Sequence, residues 1–145
     1  MKSFFDHLRE ELDGYEGPYA DLLRWTPKLI EYFGSLIEDT RLPRPARGVI
    51  NAALAYFVLP FDVVPESSMG GFGYVDDLYL CAYAAHLLQC EPGYAELLDE
   101  HWGYDQPLGA IVGEILAAAE KMLPPEDRAQ VLFFSGLSDS GAPER

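Results

Sequence analysis

Four carboxylates within one short stretch are the residues of this chain that most need a chemical explanation. Asp62, Glu66, Asp76 and Asp77 fall between Tyr56 and Asp77, in the segment YFVLPFDVVPESSMGGFGYVDD. Hard oxygen donors gathered beside backbone carbonyls suit Mg²⁺ or Ca²⁺. Two carboxylates about 4 Å apart repel by about 4 kcal/mol at an effective dielectric of about 20. Such a cluster calls for a cation, a shared proton or an arginine. The basic residues nearest in sequence are Arg41, Arg44 and Arg47. The four carboxylates are therefore candidates both for a divalent-cation site and for a structural network closed by arginine.

The same segment also reads as instructions for a turn. Pro60 ends a helix, because its ring clashes with the preceding turn and it lacks an amide donor. Asp62 can accept hydrogen bonds from backbone N–H groups near Val64, and Pro65 stiffens the chain beyond it. Gly70, Gly71 and Gly73 tolerate positive φ. Asp76 and Asp77 then stand at the start of a second helix, where the positive end of the dipole favours a carboxylate. Adjacent helical residues point about 100° apart, so one aspartate can cap while the other stays free. In this structural reading Tyr56, Pro60, Asp62, Pro65, Gly73 and Asp76 shape turns and caps, and Asp77 is the surplus carboxylate.

The elements around this segment read as helices throughout. Ser3 caps a first helix with Phe4, Phe5, Leu8 and Leu12 on one face and Gly14 as its stop. Gly17-Pro18 opens a short second one, and Thr26-Pro27 has the form of a cap followed by proline at the first helical position. Leu29, Ile30, Phe33, Leu36 and Ile37 recur at helical spacing over 27–39. Leu42-Pro43-Arg44-Pro45 reads as a connector. Two alanine-rich, almost wholly apolar segments follow, at about 46–59 and 75–90, and helices of that kind are buried. Shorter helical patterns occupy 92–102, 107–123 and the stretch after Pro124-Pro125. The expectation is one all-α domain over 1–137, a small helical bundle around an antiparallel central helix pair, with a polar tail at 138–145.

Tyr56, Pro60, Asp62 and Pro65, then Gly73, then Asp76-Asp77 together resemble the signature of the YkvA-like domain of unknown function. Leu36-Ile37-Glu38-Asp39 and Leu42-Pro43 are similar to that family's lead-in helix and connector. The resemblance covers about 27–90. Glu66 departs from it, standing where the family has aspartate. The resemblance implies a small helical domain and no known reaction. Tyr74-Val75-Asp76-Asp77 also resembles the metal-binding hairpin of reverse transcriptases, but that hairpin is a strand turn in a much larger fold.

Charge narrows the partners. The 145 residues carry a net charge of −14, and 48–120 hold eleven Asp or Glu and no Lys or Arg. An unneutralised acidic surface repels phosphate, which argues against nucleic acid and disfavours anionic membranes. It favours cations, a basic protein partner or self-association. No export signal is visible in MKSFFDHLREEL. Cys81 and Cys90 are nine positions apart on one helix, about 13 Å, too far for a disulfide. Two reduced, buried cysteines and a cytoplasmic location are expected. His86 and Cys90 share a helix face at metal-compatible spacing, yet a zinc site usually needs four ligands, so a buried histidine is expected. His101 and Trp102 are placed to line a pocket with Tyr94 and Tyr104. No spacing suggests a Ser/His/Asp set. The leading expectation is a non-catalytic interaction or scaffold module without a cofactor. The alternatives are a Mg²⁺ or Ca²⁺ site or metal-dependent enzyme using Asp62, Asp76 and Asp77, and a peripheral membrane protein.

Overall fold

The computed structural model describes residues 19–57 and 75–137, together with Glu10, Gly14 and Glu16. The expected first helix, the turn residues Pro60, Asp62, Pro65, Glu66 and Gly73, and the tail at 138–145 lie outside the described residues. All regular elements among the described residues are helical: α1 (Ala20–Leu23), α2 (Trp25–Ile37), α3 (Arg44–Phe57), α4 (Val75–Gln89), a 3₁₀ turn (Pro92–Tyr94), α5 (Ala95–His101), α6 (Leu108–Met122) and α7 (Pro125–Ser135). The all-α reading of the sequence holds.

Several boundaries move by a turn or less, each for a local reason. Helix α2 starts at Trp25, before the Thr26-Pro27 pair, because Arg24 keeps a right-handed helical backbone and carries the chain on from α1 almost without a break. Thr26 therefore lies inside the first turn and is buried, with no hydrogen-bond partner for its hydroxyl among the described residues. Helix α3 begins at Arg44 inside the expected connector. Its first turn admits Pro45, since the N–H that proline lacks has no intrahelical partner there. Helix α7 ends at Gly136, whose φ of 85° lets Leu137 N–H reach the Leu132 carbonyl at 3.0 Å.

Helix α4 is the hub. From Val75 to Ala85 every residue except Tyr83 is buried, and Leu88 extends this into the last turn. A helix apolar on all sides must be covered on all sides. Helix α4 packs against α2, α3, α6 and α7, most extensively against α6. The helix it packs against most is thus a later one, not the neighbouring member of the central pair. Small residues permit the close approach: Ala82, Ala84 and Ala85 are all at most 1% exposed. Leu29, Phe33 and Leu36 of α2, Ile50 of α3, and Ile111 and Ile115 of α6 complete the core.

Helix α5 is tied down by a polar bond. The buried Tyr32 hydroxyl donates to the Leu98 carbonyl at 2.8 Å, across 66 residues of sequence. Burial, and then the charge of Asp99, push the Tyr32 phenol well above its ordinary range. No helix among the described residues is long and apolar enough to cross a membrane. Enlarging the hub is the direct check on its packing: Ala84→Leu should lower unfolding stability by about 1–3 kcal/mol, read as a reduced urea midpoint at unchanged slope.

Candidate functional site

Helix α4 opens with the sequence Val-Asp-Asp, and both acidic side chains of that first turn face inward. Asp76 is 0% exposed and Asp77 2%. Tyr56, in the last turn of α3, donates its hydroxyl to Asp76 Oδ2 at 3.0 Å. The other oxygen, Oδ1, accepts the backbone N–H of Asp77 at 3.0 Å. That N–H is one of the first-turn donors that the helix itself cannot satisfy. Asp76 therefore does two things: it closes the first turn of α4 and it ties α4 to the end of α3. The positive end of the α4 dipole favours the carboxylates there. One turn later, burial and then the Asp77 charge drive the Cys81 thiol well above its usual range, so it stays protonated.

The arginines work elsewhere. Arg41 grips Asp39 through Nε at 3.1 Å and Nη2 at 2.8 Å, and its Nη2 also reaches Glu100 at 2.6 Å. Arg47 donates to the carbonyls of Ile37 at 2.7 Å and Asp39 at 3.1 Å. A cation at the negative end of a helix satisfies otherwise unpaired carbonyls, so Arg47 completes the C-terminus of α2. Asp39, which the sequence placed only in a lead-in helix and gave no polar role, is the centre of this network. Among the described residues no three His, Cys, Asp or Glu side chains are grouped to hold a metal. Asp62 and Glu66, the other two candidate ligands, lie outside the described residues.

The fold also assembles a Ser-His-Asp chain that spacing did not reveal. Ser35 Oγ lies 3.0 Å from His101 Nδ1, and His101 Nε2 lies 2.8 Å from Asp39 Oδ2. Ser35 and His101 stand 66 residues apart. A nucleophilic serine needs its proton aimed at the imidazole and donors for the developing oxyanion. Here the Ser35 hydroxyl is also 2.8 Å from the Tyr32 carbonyl, one turn back on the same helix. The backbone N–H groups around Ser35 lie in the interior of α2, where helical hydrogen bonds use them. Asp39 shares its charge with Arg41. The arrangement suits a latch between the ends of α2 and α5 better than acyl transfer.

Beside the latch is an open cleft of about 410 Å³ lined by Lys28, Glu31, Ser35, His101 and Tyr104, among others. Its lining residue Tyr104 belongs to an aromatic cluster whose two tryptophans do not line the cleft. Trp25 and Trp102 stack at 5.7 Å, Tyr104 meets both edge-on, and Lys28 Nζ sits 4.5 Å from the Trp25 ring centre. His101 and Tyr104 thus share a cleft, as the sequence suggested. Tyr94 lines a different one, with Arg41, Leu97 and Glu100.

Two measurements probe these sites. Tyr56→Phe removes the hydroxyl from a buried carboxylate and should cost about 1–3 kcal/mol in chemical unfolding. Asp39 is held well below the usual carboxylate range, first by the Arg41 side chain and then by His101. A carboxyl depressed in the folded state stabilises the fold above its unfolded value, about 4, and loses that contribution as pH falls below it. The stability gap between wild type and Asp39→Asn should therefore shrink as pH falls below about 4, in urea midpoints measured across that range.

Comparison with known proteins bears on the α3–α4 region. The chain is similar to an uncharacterized protein, ORF9, of Methanothermobacter thermautotrophicus, at 31% identity over 73 residues. That alignment covers 50% of this chain and 50% of the relative, so the match spans about half the length of each. No solved structure matches the chain at a significant level. Residues 46–83, from the first turn of α3 into the middle of α4, match the family model described as "Protein of unknown function (DUF1232)". That match is consistent with the YkvA-like signature and covers 46–83, well under half of the chain.

Proposed function

We propose that the chain is a non-catalytic helical module that works by docking a basic protein segment in the cytoplasm. The observation that carries this reading is the burial of Asp76 and Asp77 at the start of α4. Carboxylates shielded from solvent cannot meet a substrate, and Asp76 already bonds to Tyr56 and to the Asp77 amide. The Asp76 carboxylate thus serves the α3–α4 junction. The outer surface supplies the docking chemistry. The chain carries a net charge of −14, and the half-buried Trp25 and Trp102 with the exposed Tyr104 offer aromatic faces of the kind that dominate protein interfaces. The two free cysteines fit a reducing compartment.

A divalent-cation site built from Asp62, Glu66, Asp76 and Asp77 is the competing reading, and calorimetry separates the two. Titration with Mg²⁺, Ca²⁺ and Mn²⁺ should give the same null response for wild type and for Asp62→Asn/Asp77→Asn, with circular dichroism confirming that the variant folds. Saturable binding in wild type that the variant loses would replace docking with cation binding. Chemical crosslinking in cells should capture a basic partner. A chain that crosslinks to nothing and is monomeric by light scattering would count against the module.

A further inference from the structure

The last turn of α4 keeps Leu88 buried and turns its other side to solvent, and two metal-ligating side chains stand on that open side. His86 and Cys90 are both exposed, which corrects the expectation that they are buried. Their i, i+4 spacing places them on one face, and Cys90 Sγ lies 3.8 Å from His86 Nε2. A tetrahedral zinc ion with Zn–S of about 2.3 Å and Zn–N of about 2.0 Å holds two such ligands about 3.5 Å apart. The observed pair needs to close by only a few tenths of an ångström. We propose that His86 and Cys90 form a two-ligand clip for one borderline-soft divalent ion, Zn²⁺ or Cd²⁺, whose remaining positions are open to water or an exogenous ligand.

Ligand chemistry separates this clip from the aspartate cluster. Thiolate and imidazole select zinc-like ions, whereas carboxylates and carbonyls select magnesium and calcium. On binding, the Cys90 thiol releases its proton to solvent and the neutral imidazole donates its Nε2 lone pair. Cys81 cannot substitute, since it is buried and is held protonated by its surroundings. His101 is engaged with Ser35 and Asp39. Among the described residues no third acidic, thiol or imidazole side chain joins the pair, so binding is a two-point chelate of modest strength.

The test is titration of the reduced, full-length protein with Cd²⁺, following the thiolate-to-metal charge-transfer absorption. Wild type and Cys81→Ser should each saturate at one equivalent. Cys90→Ser should show no band, and His86→Ala should bind at least tenfold more weakly. Both substituted side chains are exposed, so the fold is kept, and circular dichroism verifies it. Absence of the band in wild type, equal affinity in His86→Ala, or loss of the band in a folded Cys81→Ser would each overturn the proposal.

Discussion

Burying the N-terminal half of α4 on every side leaves its first turn with a problem that side chains must solve. Helix α4 enters the core at its N-terminus, where backbone N–H groups have no helical acceptor and no water can reach them. Asp76 answers this by accepting the Asp77 amide from within the helix and the Tyr56 hydroxyl from the preceding one. The cost of removing a carboxylate from water is offset by charge-assisted hydrogen bonds and by the helix dipole. The position of α3 relative to α4, and through α4 the placement of α2, α6 and α7, rests on this junction.

The polar groups around the rim are arranged on a different principle. Asp39, Arg41, Glu100, His101 and Ser35 form a continuous chain of hydrogen bonds at the ends of α2 and α5. Its outer members face solvent, where single ion pairs contribute little. The value of the chain is geometric. It gathers three helix termini, with Arg47 sealing the end of α2 from α3. The buried Tyr32–Leu98 bond fixes the same two elements, α2 and α5, from beneath.

Helix type and order were legible because the alanine-rich apolar runs and the prolines between them leave few alternatives. The inward face of α2 follows from spacing, and the burial of most of α4 from its apolar composition; α3, expected to be buried as well, is amphipathic and leaves Gly48, Asn51 and Ala55 exposed. The rim network was not legible, because it joins residues 59 to 66 positions apart that have no common pattern. Thr26 was misread as a cap because the helical backbone of Arg24 is a property of the α1–α2 junction. His86 and Cys90 were misread as core because composition sets the average character of a helix and does not reveal which side of its last turn is left open. Cys81, four positions from Asp77 on the same helix, is buried as the sequence implied.

The greater reach of α6 over α4 bears on what can be cut away. The stretch that matches the family model ends at residue 83 and contains none of α6, yet among the described residues α6 packs on α4 more extensively than any other helix does. Truncation after residue 83 would strip α4 of its main cover and leave an apolar face in water. The matched stretch borrows its stability from residues that lie outside it.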